Sequence, residues 1–244
     1  MIEPKLHKVA PVRRAREAAV LVLGYLSEDW SHNPTRWVEA VRAGGFRGSI
    51  YSLWWDASRI LDVIPTLITG LAGPPDLLGK AINIKADWDR AQANAEQVGR
   101  EHFWDCLADL PEKRVDLIGY SLGARVLFYA LTEGRRPVTA PTCENLLLVG
   151  GAVRRNKSWD AARRAITGRA VNAYSRDDLI LTTLFKVARL NTASPCGSKP
   201  IEFGKVNNVD LTGQVKHHFD YERVLPDVAR KHLNWGRSLL RFWN

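Results

Sequence analysis

The stretch Gly119-Tyr120-Ser121-Leu122-Gly123 sets one serine between two glycines, each two residues away. A serine hydroxyl is a poor nucleophile at neutral pH and needs a base beside it. At a very tight strand-to-helix turn the serine backbone is strained, and its neighbours two before and two after must be small because strand and helix pass close together. Glycine meets both demands, and the turn lifts the hydroxyl clear of the sheet. It also aims the Leu122 N–H at the place where an oxyanion would form, so the chemistry on offer is acyl transfer through a covalent intermediate.

The remaining parts are sought in chain order: serine, then acid, then histidine. Only His217, His218 and His232 lie after Ser121. His217 and His218 fall in a polar loop, and His232 falls in a helical pattern where a surface role is the simpler reading. Asp177 and Asp178 end the run Ala170–Tyr174-Ser175-Arg176. Either aspartate could equally be an N-cap for a helix starting near Leu179. For a second oxyanion N–H, the loop after an early strand fits: Gly24-Tyr25-Leu26-Ser27, with Tyr25 or Leu26 the expected donor.

These residues need elements to position them. Short apolar runs alternate with longer helical ones, which reads as a mostly parallel sheet covered by helices. Strands are expected at Ala18–Leu23, Gly48–Leu53, Arg114–Ile118, Asn145–Val149, Ala170–Tyr174 and, more weakly, Ile201–Val206. Runs such as Val20-Leu21-Val22-Leu23 are apolar without alternation, as in strands buried on both faces. Helices are expected at Pro34–Ala43, Ala86–Leu110, Leu122–Thr132, Leu179–Leu190 and Leu225–Phe242. Asn33 before Pro34 reads as an N-cap followed by a first-turn proline. An insertion over about 58–84, with Ile60–Ala81 rich in Leu, Ile and Pro, reads as an apolar lid or as a plain helix pair packed on the sheet.

Composition narrows the class. The chain has 244 residues, 45% hydrophobic and 25% charged, which suits one α/β domain over 1–244. Arg13, Arg14 and Arg16 ahead of Ala18–Leu23 faintly imitate a signal peptide. The run is too short, however, and Glu28, Asp29 and Trp30 stand where small residues should be. No segment reaches the roughly 20 apolar residues that span a bilayer. Cys106, Cys143 and Cys196 are odd in number and share no CxxC spacing, which favours reduced thiols and a cytoplasmic setting. His102 lies one turn before Cys106, but no second ligand pair completes a metal site, and the chemistry needs no cofactor. The net charge of +9 favours anionic partners, including peripheral contact with an anionic membrane. No basic arm or RNP-like motif supports nucleic acid.

Several stretches together resemble one group, the α/β-hydrolase family that includes the transmembrane and coiled-coil domain-containing proteins. They are Gly24-Tyr25-Leu26-Ser27-Glu28 with Trp37 downstream; Gly119 to Val126; Gly168 to Ser175, through Asp178 to Leu181; and Val209-Asp210 followed by His218-Phe219-Asp220-Tyr221. The resemblance implies an α/β-hydrolase fold. Its tyrosine-serine, two residues, aspartate pattern lands on Asp178 rather than Asp177. Its histidine three residues before tyrosine lands on His218 rather than His217. Longer members carry hydrophobic membrane segments, which these 244 residues lack at spanning length, so membrane attachment is not carried over. The expectation is a serine esterase or lipase acting on a small-molecule or lipid ester. A thioesterase, acyltransferase or peptidase on the same triad, or a catalytically silent binding module on a hydrolase scaffold, are the alternatives.

Overall fold

The computed structural model describes residues 3–24, 34–56, 77–187, 194–233 and 235, with backbone alone at 77–84 and 187. Its centre is a seven-stranded sheet. The strands are β1 (Lys5–Ala10), β2 (Glu17–Val22), β3 (Ser49–Trp54), β4 (Arg114–Tyr120), β5 (Thr142–Val149), β6 (Ala170–Tyr174) and β7 (Asn207–Asp210). Their order is β1-β3-β2-β4-β5-β6-β7. Every neighbouring pair is parallel except β1 with β3.

The helices are α1 (Thr35–Ala43), α2 (Leu77–Gln97), α3 (Phe103–Leu107), α4 (Leu122–Thr132), α5 (Asp160–Arg164), α6 (Leu179–Val187) and α7 (Tyr221–His232). A π-turn at Val98–His102 joins α2 to α3. The central strands β2, β4, β5 and β6 are buried along most of their length because both faces are covered, and most of their residues are accordingly apolar. Ala18, Val20 and Val22 face α2, α3 and α4, where they meet Trp88, Phe103, Trp104 and Leu127. Ala19 and Leu21 point the other way, onto Trp37 and Val41 of α1 and Leu225 and Val228 of α7. Successive side chains leave opposite faces of a strand, so one six-residue run feeds two cores.

Three expected elements are corrected. The last strand is Asn207–Asp210, not Ile201–Val206. There the side chain of Asn208, rather than a strand ladder, accepts from the Ile201 N–H and donates to the Ile201 carbonyl. The helix expected at Ala86–Leu110 begins at Leu77 and is interrupted by the π-turn. The C-terminal helix begins at Tyr221, four residues earlier than expected. One strand was not anticipated: β1, a half-exposed edge strand carrying Lys5, His7 and Lys8. Asn33 and residues 58–76 of the expected lid lie outside the described residues. No helix among the described residues is long and apolar enough to cross a membrane.

Candidate active site

Ser121 follows directly on β4 and precedes the first residue of α4. Its backbone has φ 55° and ψ −121°, a region L-residues rarely occupy. Neighbouring backbone pins it there. Its N–H donates to the Val149 carbonyl at 3.2 Å, and its own carbonyl accepts from Ala124 at 3.2 Å and Ala152 at 2.9 Å. The flanking glycines are explained by contact. A Cβ on Gly123 would lie 1.7 Å from the Val22 carbonyl oxygen, and one on Gly119 would lie 2.9 Å from Cα of Ala124.

His218 opens a short 3-10 turn, His218–Asp220, just before α7. Its Nε2 lies 2.9 Å from Ser121 Oγ, and its Nδ1 lies 2.6 Å from Asp178 Oδ2. Asp178 stands immediately before α6, and its second oxygen accepts the Leu181 N–H at 3.0 Å. The aspartate therefore caps a helix and meets the imidazole at once. The three residues are 4%, 2% and 0% exposed for Ser121, His218 and Asp178. A hydrogen-bonded pair in such surroundings is little screened by water.

The alternatives at each position fall elsewhere. Asp177 accepts the Gly213 N–H through Oδ2 at 2.8 Å, tying two loops together. His217 is exposed, and its backbone N–H donates to Asp220. His232 lies beside Asn207 at the start of β7. Leu122 is the first residue of α4, where backbone N–H groups have no intrahelical acceptor. Tyr25 and Leu26 lie outside the described residues. Gly24 just before them borders the site: a Cβ there would lie 2.7 Å from the Leu122 nitrogen and 2.9 Å from Ser121 Cβ. The absent side chain keeps space open over the Leu122 N–H.

Sequence reasoning missed the supporting ring of groups. The Tyr120 hydroxyl donates to the His218 carbonyl at 2.7 Å. Tyr221 Oη donates to the Gly197 carbonyl at 3.1 Å and lies 3.4 Å from Asp178 Oδ2. The Ser175 hydroxyl donates to the Val215 carbonyl at 2.6 Å, fastening the strand end that carries Asp178 to the loop that leads to His218. Burial, then the nearby Asp178 charge, pushes the Tyr221 phenol well above its usual range, so it stays a donor. The stretches quoted for the resemblance contain Tyr120, Ser175 and Tyr221, but the sequence assigns none of them a contact.

A mostly parallel sheet wrapped on both faces, with a strained serine on the turn after a central strand, defines the α/β-hydrolase fold. The chain belongs to the family described as protein of unknown function DUF726, whose model matches residues 42–235. It is 36% identical over 162 residues to the transmembrane and coiled-coil domain-containing protein STS1 of Oryza sativa subsp. japonica, a match covering 65% of this chain and 24% of that protein. It is 26% identical over 213 residues to the probable lipase MIL1 of Saccharomyces cerevisiae, covering 75% of this chain and 20% of that protein. The chain thus spans about a quarter or less of the length of these relatives. The crystal structure of esterase PE8 covers 95% of this chain and 100% of its own at 15% identity, with a TM-score of 0.49.

Proposed function

We propose that this chain is a serine hydrolase of ester bonds, esterase- or lipase-like, with Ser121 as nucleophile, His218 as base and Asp178 as the acid that orients it. The observation carrying this reading is the unbroken contact from Ser121 Oγ through the two His218 nitrogens to Asp178, at 2.9 and 2.6 Å. Ser121 Oγ attacks the ester carbonyl while its proton passes to His218 Nε2. Asp178 holds the Nδ1–H tautomer and stabilises the imidazolium. The carbonyl electron pair moves onto oxygen, which the Leu122 N–H and a second N–H from Tyr25 or Leu26 receive. Collapse expels the alcohol with the proton from His218, and water then releases the acid from Ser121 by the same steps. No metal or organic cofactor enters these steps.

The relative described as a probable lipase supports an acyl ester as substrate. The apolar sequence at 60–81 favours long acyl chains, and the charge of +9 favours peripheral contact with an anionic lipid surface. Three free cysteines support a cytoplasmic setting. Residues 1–244 are read as one hydrolase domain with a lid-like insertion at about 58–84. The test is turnover of chromogenic esters of rising acyl length, beside matched thioesters and amides, for wild type and Ser121→Ala. Activity with oxygen esters that disappears in the variant is expected. Folded protein that turns over none of them would leave the scaffold a binding module. Faster thioester than ester turnover would move the reading to a thioesterase.

A further inference from the structure

Tyr120 is the residue between Gly119 and Ser121, and nothing in the motif specifies its side chain. That side chain is buried and addresses His218 twice. Its hydroxyl donates to the His218 carbonyl at 2.7 Å. Its ring stacks on the imidazole, with centroids 5.0 Å apart and planes 29° from parallel. The same ring also lies against Trp37 of α1, at 4.8 Å and 39°. Trp37 and Tyr120 thus join α1, β4 and the histidine loop through aromatic faces.

We propose that Tyr120 is a positioning residue whose ring stabilises the imidazolium that His218 becomes when it takes the Ser121 proton. The proposal rests on the serine-hydrolase reading above. An aromatic face carries a negative quadrupole and attracts a cation within about 6 Å of its centroid, more strongly where water is excluded. Neutral imidazole gains little from that face. The charged form, present only after proton transfer, gains more. The interaction therefore favours the transition state over the ground state, which is the condition for accelerating a chemical step. The hydroxyl makes a separate contact, tying the end of β4 to the His218 backbone.

The test uses a fluorophosphonate, which reports serine reactivity without knowledge of the substrate. The Ser121 Oγ–P bond forms, the P–F bond breaks with its electron pair leaving as fluoride, and the serine proton passes to His218 Nε2. Inactivation rate (kinact) and affinity (KI) are measured for wild type, Ser121→Ala, Tyr120→Phe and Tyr120→Leu. They are also measured with 3,5-difluoro- and 3,4,5-trifluorophenylalanine in place of Tyr120. Fluorine weakens the quadrupole with little change of shape. Tyr120→Phe is expected within about 3-fold of wild type. Tyr120→Leu should lower kinact by about 3- to 30-fold with KI unchanged. Each added fluorine should lower kinact further relative to Tyr120→Phe. A kinact flat across the fluorine series, or an effect confined to KI, overturns the proposal and leaves the triad standing. Should Tyr120→Leu fail to fold, the fluorine series alone decides. Folded wild type that is not labelled at Ser121 overturns the hydrolase reading, and this proposal with it.

Discussion

Asp178 Oδ2 lies 2.6 Å from Nδ1 of His218 while Oδ1 of the same carboxylate accepts the Leu181 N–H at 3.0 Å. One side chain thus orients the His218 imidazole and caps a helix, and two substitutions separate the duties. Asp178→Asn keeps a capping oxygen but favours the wrong imidazole tautomer. It should lower kcat by about 10⁴-fold and leave the urea midpoint nearly unchanged. Asp178→Ala should lose the same activity and also about 1 kcal/mol of stability. Ester kinetics and urea unfolding on both variants check this.

Gly123→Ala should be severe. The added Cβ would meet the Val22 carbonyl oxygen at 1.7 Å, and backbone cannot swing aside as a flexible side chain can. The expected loss is about 3 kcal/mol, with activity falling as the elbow shifts. Gly213→Ala is the control. Its φ is +84° but nothing lies within 4 Å of the new carbon, so only backbone strain of about 1–2 kcal/mol remains. Chemical denaturation should rank the two in that order.

Asp116 should give the fold a pH dependence of unusual sign. Burial pushes its carboxyl up to about 6, against the donors Trp235 Nε1 and Asn145, which favour the charged form. The folded value lies above the unfolded one near 3.9. The folded state therefore binds the extra proton between them, and stability declines as pH rises from about 4 to about 6. The decline attributable to this group is on the order of 3 kcal/mol. Urea unfolding of wild type and Asp116→Asn across that window should differ in slope. Parallel slopes would remove the assignment.

Arg125, one turn into α4, joins two distant pieces of chain. Nε and Nη2 donate to Glu96 Oε1 on α2 at 3.0 and 2.5 Å, and Nη1 donates to the Ala152 carbonyl at 3.2 Å. Burial alone would raise the Glu96 carboxyl, yet Arg125 holds it below its ordinary value. Arg125→Met should cost about 2 kcal/mol because it removes both donors to Glu96 Oε1, leaving the carboxylate to Arg100 Nη1, which reaches Oε2 at 3.2 Å. Adding Glu96→Gln should recover part of that loss. A thermodynamic cycle with less than about 0.5 kcal/mol of coupling would dismiss the bridge.

Thiol reagents should leave activity intact. Burial pushes Cys143 and Cys196 up to about 12 and Cys106 to about 11. The thiolate, which is the reactive form, is then scarce at neutral pH. Iodoacetamide in the native state should not change ester turnover; inhibition would point to a role for a cysteine.

Legibility from sequence followed burial. Ala170–Tyr174 and Leu122–Thr132 are readable to the residue because each is mostly apolar, with Asn172 in the one and Arg125 and Thr132 in the other, and is bounded by a clear break. β1 escaped because an antiparallel edge strand with one partner tolerates lysine and histidine, leaving no apolar run to read. β7 escaped because Asn207-Asn208-Val209-Asp210 is polar. It is chosen by its register against Val171–Tyr174, and Asn208 spends its side chain on Ile201 and Asn172. Within the site, the tight turn that carries Ser121 is readable from local spacing alone. His217 and His218 were inseparable by composition because the turn that buries one and exposes the other is tertiary. Tyr120 and Tyr221 act through contacts spanning 98 and 24 residues of sequence, a relation no local pattern carries.

The backbone of Ser121 has an evolutionary consequence. A left-handed, non-glycine residue costs of order 1–3 kcal/mol, and it persists only because the surrounding fold over-determines it. Ser121→Gly should therefore yield a more stable but inert protein. Drift in this chain has an easy downhill direction, away from chemistry and towards robustness. The serine at position 121 thus carries a conformational cost that a glycine there would not.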